Sequence, residues 1–310
     1  MDLVFLGTPR FAVPALRALV AAGHTIQAVF TQPDRPKGRG QELAISPVKA
    51  TAIELGLAVY QPEKIRRPEA IELIRGFPAL AMVVVGYGQI IPQSIIDMAP
   101  LGILNVHASL LPKYRGAAPI QWAIASGETR TGVTIMRIDA GLDTGDILLA
   151  EETAIGSDET APELGERLAG IGAPLLVRAL EGLAAGIVRP IPQDHAAATY
   201  APILKKEDGI IDFSRPARII YNRLRGFTPW PGASTSFRGT QLKVLAARVT
   251  EEARPGKPGS LHPERHRLLV TCGEGACLEL LEVQLEGRKK VMADAFLNGH
   301  HPVENELLGG

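Results

Sequence analysis

Leu80-Ala81-Met82-Val83-Val84-Val85 is an unbroken apolar run that stops at Gly86-Tyr87-Gly88. Six apolar residues without polar alternation suit a strand covered on both faces, as in the interior of a parallel sheet. Outward from it the same signals alternate. Leu3 to Leu6 is a short apolar run ended by Gly7, and Phe11, Val13, Leu16, Leu19 and Val20 then recur at helical spacing up to Gly23. Residues 25–31 form the next expected strand. Ser46-Pro47 offers an N-cap and a first-turn proline for a helix to about Leu55, and residues 57–60 form another strand. Helices near 67–75 and 92–98 flank the opening run. A strand over 102–107, a helix over 117–125, strands over 131–138 and 147–150 and a long helix over 160–185 complete the rhythm. Strands alternating with helices predict an α/β fold, a Rossmann-like and mostly parallel sheet with right-handed crossovers.

Two stretches break this rhythm. Gln32-Pro-Asp-Arg-Pro-Lys-Gly-Arg-Gly40 holds two prolines, two glycines and four charges, so we expect a projecting loop without regular structure. Residues 187–201 hold two prolines and the polar run Gln193-Asp194-His195, which suits a linker. Beyond it, short strand patterns at 234–237, 242–249, 267–271 and 279–285 predict a smaller C-terminal β-barrel, closed by a helix over 292–298. The expected organisation is a catalytic domain over 1–188, a linker over 189–206 and a C-terminal domain over 207–310.

A chain of 310 residues accommodates two such domains. Basic and acidic residues balance at 33 each, so no global charge announces a nucleic-acid or membrane partner. Residues 201–310 carry 16 Lys and Arg against 13 Asp and Glu, a net of +3, while residues 1–200 carry 17 against 20, a net of −3. That lean suits a C-terminal module for a polyanion. Cys272 and Cys277 make neither a disulfide framework nor a four-ligand zinc site. The start, Asp2-Leu-Val-Phe-Leu-Gly7, lacks signal-peptide features, and no apolar run approaches a membrane span of about 20 residues. We expect a cytoplasmic protein with no membrane partner.

The chemistry is expected in Gly102-Ile-Leu-Asn105-Val-His107-Ala-Ser109-Leu110-Leu111-Pro112-Lys-Tyr114-Arg115-Gly116. Side chains alternate along a strand, so Asn105 and His107 share a face and Val106 takes the other. Pro112 then takes the chain out of the sheet. An amide beside a neutral imidazole can stabilise a carbonyl oxygen as it becomes negative, or handle a proton. The alternative is a strand-end histidine held by structural hydrogen bonds. A carboxylate would orient the imidazole, and Asp143, Asp146 and Asp139 in the glycine-broken loop 139–146 are the candidates; each also suits ordinary turn chemistry. Ser109 has no nucleophile-elbow context, one histidine with distant aspartates has no metal-ligand spacing, and Gly7-Thr-Pro-Arg-Phe11 is not a dinucleotide fingerprint. Arg35, Lys37 and Arg39 could grip phosphates or simply be solvated, as could Lys205 and Lys206. Trp230, between prolines, reads as a core or interdomain plug rather than a base-stacking platform.

Asn105-Val-His107-Ala-Ser-Leu-Leu-Pro112 followed by Leu-Asp143-Thr-Gly resembles the signature of the folate-dependent formyltransferases. Gly7-Thr-Pro, Thr31-Gln-Pro-Asp-Arg-Pro-Lys-Gly-Arg-Gly40, Tyr114-Arg-Gly-Ala-Ala-Pro-Ile-Gln121 and Phe227-Thr-Pro-Trp-Pro231 resemble the branch of that family acting on charged initiator tRNA. The resemblance implies 10-formyltetrahydrofolate as formyl donor, no metal, and an amine attacking the formyl carbon directly. It gives Asn105 and His107 the oxyanion, and has Asp143 hold His107 and assist removal of the amine's proton, directly or through water. It implies a folate wall of Val85, Gly86, Tyr87, Gly88, Gln89, Ile90 and Ile91 with Ser109, Leu110, Leu111 and Pro112. It also implies tRNA contacts from Arg35, Lys37, Arg39, Lys205 and Lys206, an oligonucleotide-binding (OB-like) barrel at the C-terminus, and a monomer. Two alternatives stay open: a transformylase of a small amine, and a non-catalytic tRNA- or folate-binding protein.

Overall fold

The computed structural model describes residues 1–37 and 42–309. Its contacts divide into two units, Met1–Pro119 with Arg130–Ala154 and Gly165–Pro202, and Ile120–Thr129 with Ile155–Leu164 and Ile203–Gly310. In chain order the first strands and helices are β1 (Asp2–Gly7), α1 (Val13–Ala21), β2 (Thr25–Phe30), β3 (Arg35–Lys37), β4 (Glu42–Ala44), α2 (Pro47–Glu54), β5 (Val59–Tyr60), α3 (Pro68–Arg75), β6 (Ala81–Val85), α4 (Gln93–Ile96) and β7 (Ile103–His107). They continue with β8 (Arg115–Gly116), α5 (Pro119–Ala125), β9 (Arg130–Arg137), β10 (Ile147–Ala154), α6 (Ala161–Ala184) and β11 (Tyr200–Ala201).

The first unit is built on a seven-stranded sheet of order β10-β9-β7-β6-β1-β2-β5. The five strands β5, β2, β1, β6 and β7 are parallel, and β9 and β10 add antiparallel pairings at one edge. Leu3 to Leu6 and Ala81 to Val85 are all buried, which is why both strands read as unbroken apolar runs. After β1 the chain moves outward to β2 and β5, then returns to β1's other side as β6. The strand order therefore reverses between β1 and β6, and open sheets of this kind bind ligands beyond the carboxyl ends of the strands at that reversal. Gly7 and Val85 are paired there, and β7 with its terminal His107 is the next strand over.

Two expectations change. The charged loop after Thr31 contains a two-stranded ribbon, β3 against β4, with Pro36 opposite Leu43. A ribbon leaves alternate backbone N–H groups facing away from the partner strand, so a proline is accommodated there. Its base is tied by the Lys49–Asp34 ion pair, with Gln61 bonded to both side chains at 2.8 and 2.9 Å. Residues 189–202 of the expected linker are instead part of the first unit: Ile191 bridges Ile147, β11 pairs with β8, and Gln193 is buried.

The second unit contains α7 (Ala217–Phe227), β12 (Ala233–Phe237), β13 (Thr240–Ala253), β14 (Leu261–Pro263), β15 (Leu268–Thr271), β16 (Ala276–Leu285), β17 (Val291–Met292) and α8 (Ala293–His300). The antiparallel path is β12-β13-β16-β15-β14, with β17 also on β16, around a core including Phe237, Leu242, Leu268, Val283 and Phe296. The residues after α8 join the two ends of this path. Leu308 N–H bonds Gly259 and Leu261 N–H bonds Glu306 at the β14 end, while Gly309 N–H bonds Ser236 on β12. Arg238 clamps Glu306 through both carboxylate oxygens at 2.6 and 3.0 Å. Cys272 and Cys277 are buried free thiols, and burial pushes the Cys272 thiol up to about 12. Leu308 is buried, so Leu308→Ala is expected to cost about 2–4 kcal/mol, measured as a lower urea midpoint in a probe confined to the C-terminal sheet. Trp230 is 56% exposed, which overturns its expected role as a plug.

Candidate active site

Asn105 and His107 lie on β7, opposite Met136 and Thr134 of β9. Val106 points the other way: a Cβ on Gly172 of α6 would meet its side chain at 2.9 Å. His107 is 5% exposed at the strand's end. Its Nε2 lies 2.9 Å from the Tyr114 carbonyl, and its Nδ1 lies 3.7 Å from Asp143 Oδ2. A carbonyl only accepts, so Nε2 carries the proton, and in the neutral ring Nδ1 holds the lone pair. Burial outweighs the Asp143 carboxylate and the Tyr114 carbonyl and holds the imidazole below its ordinary 6.5. Among the described residues the Asn105 amide has no hydrogen-bond partner, which leaves it available to a ligand.

Of the three candidate aspartates, Asp143 reaches His107, and Gly116 N–H donates to its Oδ2 at 2.8 Å. Asp143 has a φ of 51°, a left-handed conformation that strains a residue with a Cβ. Asp139 is occupied within the loop, accepting from Thr144 Oγ1 at 2.7 Å and from Gly141 N–H at 3.0 Å. Asp146 uses its carbonyl to accept the Arg137 N–H. The turn after His107 is stapled by Thr134, whose hydroxyl donates to Ser109 O at 2.7 Å and accepts from Leu111 N–H at 3.1 Å. Ser109 Oγ donates to Lys113 O at 2.6 Å, so this hydroxyl is a turn clamp. Leu111 is buried, and Leu110 and Pro112 are part-exposed beside it.

The segment from Val85 to Ile91 leaves the sheet at the strand-order reversal. Gly86 has a φ of 56°, and a Cβ there would collide with Pro9 Cγ at 2.8 Å; Gly88 has a φ of 87°. Thr8 Oγ1 and Gln32 Nε2 both donate to the Tyr87 carbonyl at 3.1 Å, and the buried Tyr87 phenol is pushed up to about 12 by desolvation. Gln89 is not free: its Oε1 accepts from Ile65 N–H at 2.8 Å and its Nε2 donates to Glu63 O at 3.2 Å. Ile90 is 89% exposed and Ile91 is buried. Among the described residues the backbone N–H groups of Gly88, Gln89, Ile90 and Ile91 make no hydrogen bond.

Of the basic residues, Arg35 is exposed on β3, Lys37 lies on the same strand, and Arg39 lies outside the described residues. Lys205 and Lys206 are exposed in the second unit. Gln193, Arg115, Tyr114 and Thr134 were missed as contributors to the site. Tyr114 and Arg115 are in the signature stretch, but nothing in a sequence marks a carbonyl as a histidine's partner. Among the described residues no cluster of three His, Cys, Asp or Glu could hold a metal, and no helix is long and apolar enough to cross a membrane.

An amide, a neutral imidazole and a carboxylate near the end of β7, next to the reversal of strand order, are groups suited to group transfer at a carbonyl. Residues 1–180 match the formyl transferase family and residues 203–301 match the formyl transferase C-terminal domain. The chain belongs to the formyl transferase family. It is 63% identical over 309 residues to a methionyl-tRNA formyltransferase of Solibacter usitatus, covering 100% of this chain and 99% of that one. It is 57% identical over 310 residues to that of Koribacter versatilis, again covering 100% of this chain and 99% of the relative. Among solved structures, the Helicobacter canadensis N-formyltransferase in complex with folinic acid and dTDP-3-aminofucose has the same fold, with a TM-score of 0.66, 19% identity, and coverage of 90% of this chain and 98% of that one.

Proposed function

We propose that this chain transfers the formyl group of 10-formyltetrahydrofolate to the α-amine of methionyl-initiator tRNA. The observation carrying this reading is the likeness along the whole chain, both matched regions included, to proteins named methionyl-tRNA formyltransferase. The residues present fit the folate donor: backbone donors over 88–91 beside the apolar Ile90 and Ile91 suit a flat heterocycle with a hydrogen-bonding edge. Lys205, Lys206, Arg35, Lys37 and Arg39 are the proposed phosphate contacts, and residues 207–310 the tRNA-holding module. That work belongs in the cytoplasm, where charged tRNA is used.

The neutral amine bonds to the formyl carbon as His107 Nδ1 takes its proton, directly or through a bridging water. The formyl oxygen becomes negative and the Asn105 amide donates to it. The imidazolium so formed stands between the Tyr114 carbonyl and the Asp143 carboxylate, both of which favour the charged ring. It returns the proton to N10 as the C–N10 bond breaks, releasing tetrahydrofolate and the formylated amine. This assignment departs from the expected one in two respects, the oxyanion role of His107 and the removal of the amine proton by Asp143. The neutral ring has no Nδ1 proton to offer an oxyanion, so His107 acts first as base, and Asn105 holds the oxyanion.

The test is transfer of labelled formyl from 10-formyltetrahydrofolate to charged initiator tRNA, with elongator methionyl-tRNA and small amines as controls. Strong transfer to initiator tRNA supports the reading; equal transfer to a small amine by a chain ending near residue 205 favours the small-amine alternative. Arg39→Ala is expected to raise the KM for charged tRNA about tenfold, as loss of one phosphate-type contact worth about 1–2 kcal/mol does, with the KM for the folate donor unchanged. Unaltered kinetics would return that residue to the solvated loop.

A further inference from the structure

Tyr114, Arg115 and Gly116 are consecutive, and the outer two act on the His107–Asp143 pair. The Tyr114 carbonyl accepts from His107 Nε2, and the Gly116 N–H donates to Asp143 Oδ2. Arg115 between them is 2% exposed, and among the described residues no carboxylate lies within ion-pair distance of its guanidinium. A buried cation needs acceptors. Arg115 finds them in Gln193 Oε1, reached by Nε at 3.1 Å and Nη2 at 2.7 Å, and in His195 Nδ1, reached by Nη2 at 3.1 Å. The other end of the Gln193 amide donates to the Asp143 carbonyl at 2.9 Å and the Gly145 carbonyl at 2.7 Å. Gln193 is 6% exposed, and all four of its side-chain hydrogen-bonding positions are filled.

Only a carboxamide can do this. It accepts two bonds at one end and donates two at the other, so the guanidinium, having only donors, fixes which end faces the carbonyls. The carbonyls so held belong to Asp143, in its left-handed conformation, and to Gly145, where a Cβ would lie 2.0 Å from the Arg137 carbonyl. A strained turn persists only where its surroundings hold it. We propose that Gln193, oriented by the buried Arg115, is a positioning residue for the reaction: it fixes the Asp143 turn and thereby the approach of the Asp143 carboxylate to His107.

This rests on the proposed formyl transfer, and the test separates the two. Formyl transfer to charged tRNA is first measured with the unaltered chain; no transfer there refutes the reaction, not the positioning. Gln193→Glu keeps the side chain's size and its Arg115 partner but faces the two carbonyls with an acceptor. It is expected to lower kcat about 10–100-fold, the scale of a displaced reacting group, with both KM values within about twofold and the unfolding temperature within a few degrees. In an Asp143→Asn background the same change should lower kcat by less than about twofold further, because its effect runs through Asp143. Full additivity, or an unchanged kcat in folded Gln193→Glu, would overturn the proposal. Arg115→Lys, which keeps the cation but loses the two-nitrogen grip on Gln193, carries the same cycle if Gln193→Glu does not fold, with the same two outcomes deciding it.

Discussion

His107→Ala is expected to lower the kcat of formyl transfer about 10²–10⁴-fold, the range of a lost acid–base group, while the Kd for charged tRNA stays within about threefold. The expectation follows from where the ring sits. Its Nε2 is committed to the Tyr114 carbonyl, its Nδ1 faces Asp143, and its exposure is 5%. A phosphate-binding role needs an exposed cation, and this ring is buried and favours its neutral form. The measurement is single-turnover transfer of labelled formyl beside filter binding of charged tRNA. Turnover near that of the unaltered chain would return His107 to a structural strand-end histidine. Alanine also leaves the Tyr114 carbonyl without its donor, at about 1–3 kcal/mol, so the unfolding temperature is recorded alongside.

How much of this is legible in the sequence depends on the range of the signal. Unbroken apolar runs identify β1 and β6 because both faces of those strands are buried, and period-two alternation puts Asn105 and His107 on one face with Val106 on the other. Those are local regularities. The choice among Asp139, Asp143 and Asp146 is not local: all three lie within two residues of a glycine in one loop, and what separates them is a positive φ at Asp143 and the bonds that occupy Asp139. Gln193 is less legible still. It lies among prolines in a polar run, and its burial comes from contact with Arg115 and residues 143–145, nearly fifty positions or more earlier in the chain. The β3–β4 ribbon was obscured by its prolines, which in a two-stranded ribbon can sit on the outward side. The closure of the C-terminal sheet by residues 305–309 rests on backbone hydrogen bonds, which no side-chain pattern announces.

Asp143→Asn separates the two ways in which this carboxylate supports the reaction. The asparagine keeps the size of the side chain, and its amide oxygen can still accept from Gly116 N–H, so the turn should survive. What goes is the negative charge facing Nδ1 at 3.7 Å. Burial lowers the His107 pKa and Asp143 opposes it, so removing Asp143 leaves desolvation less opposed and the pKa falls further below 6.5. Two consequences carry opposite signs for rate and for pH range. The imidazolium intermediate loses its counter-charge, and kcat is expected to fall about 10³-fold, within the range for acid–base groups. The acid limb of kcat against pH, which reports loss of the neutral base, should move to lower pH, so the variant is slower but keeps its activity further into acid. Stability follows the same linkage: His107 is held neutral in the fold, so stability is fully present above about 6.5 and is lost as pH falls toward the folded pKa. In Asp143→Asn that loss should reach deeper into acid. A limb that stays in place while kcat falls would mean that His107 is not the titrating base, and a limb that moves upward would mean that the charge next to the imidazole is not that of Asp143.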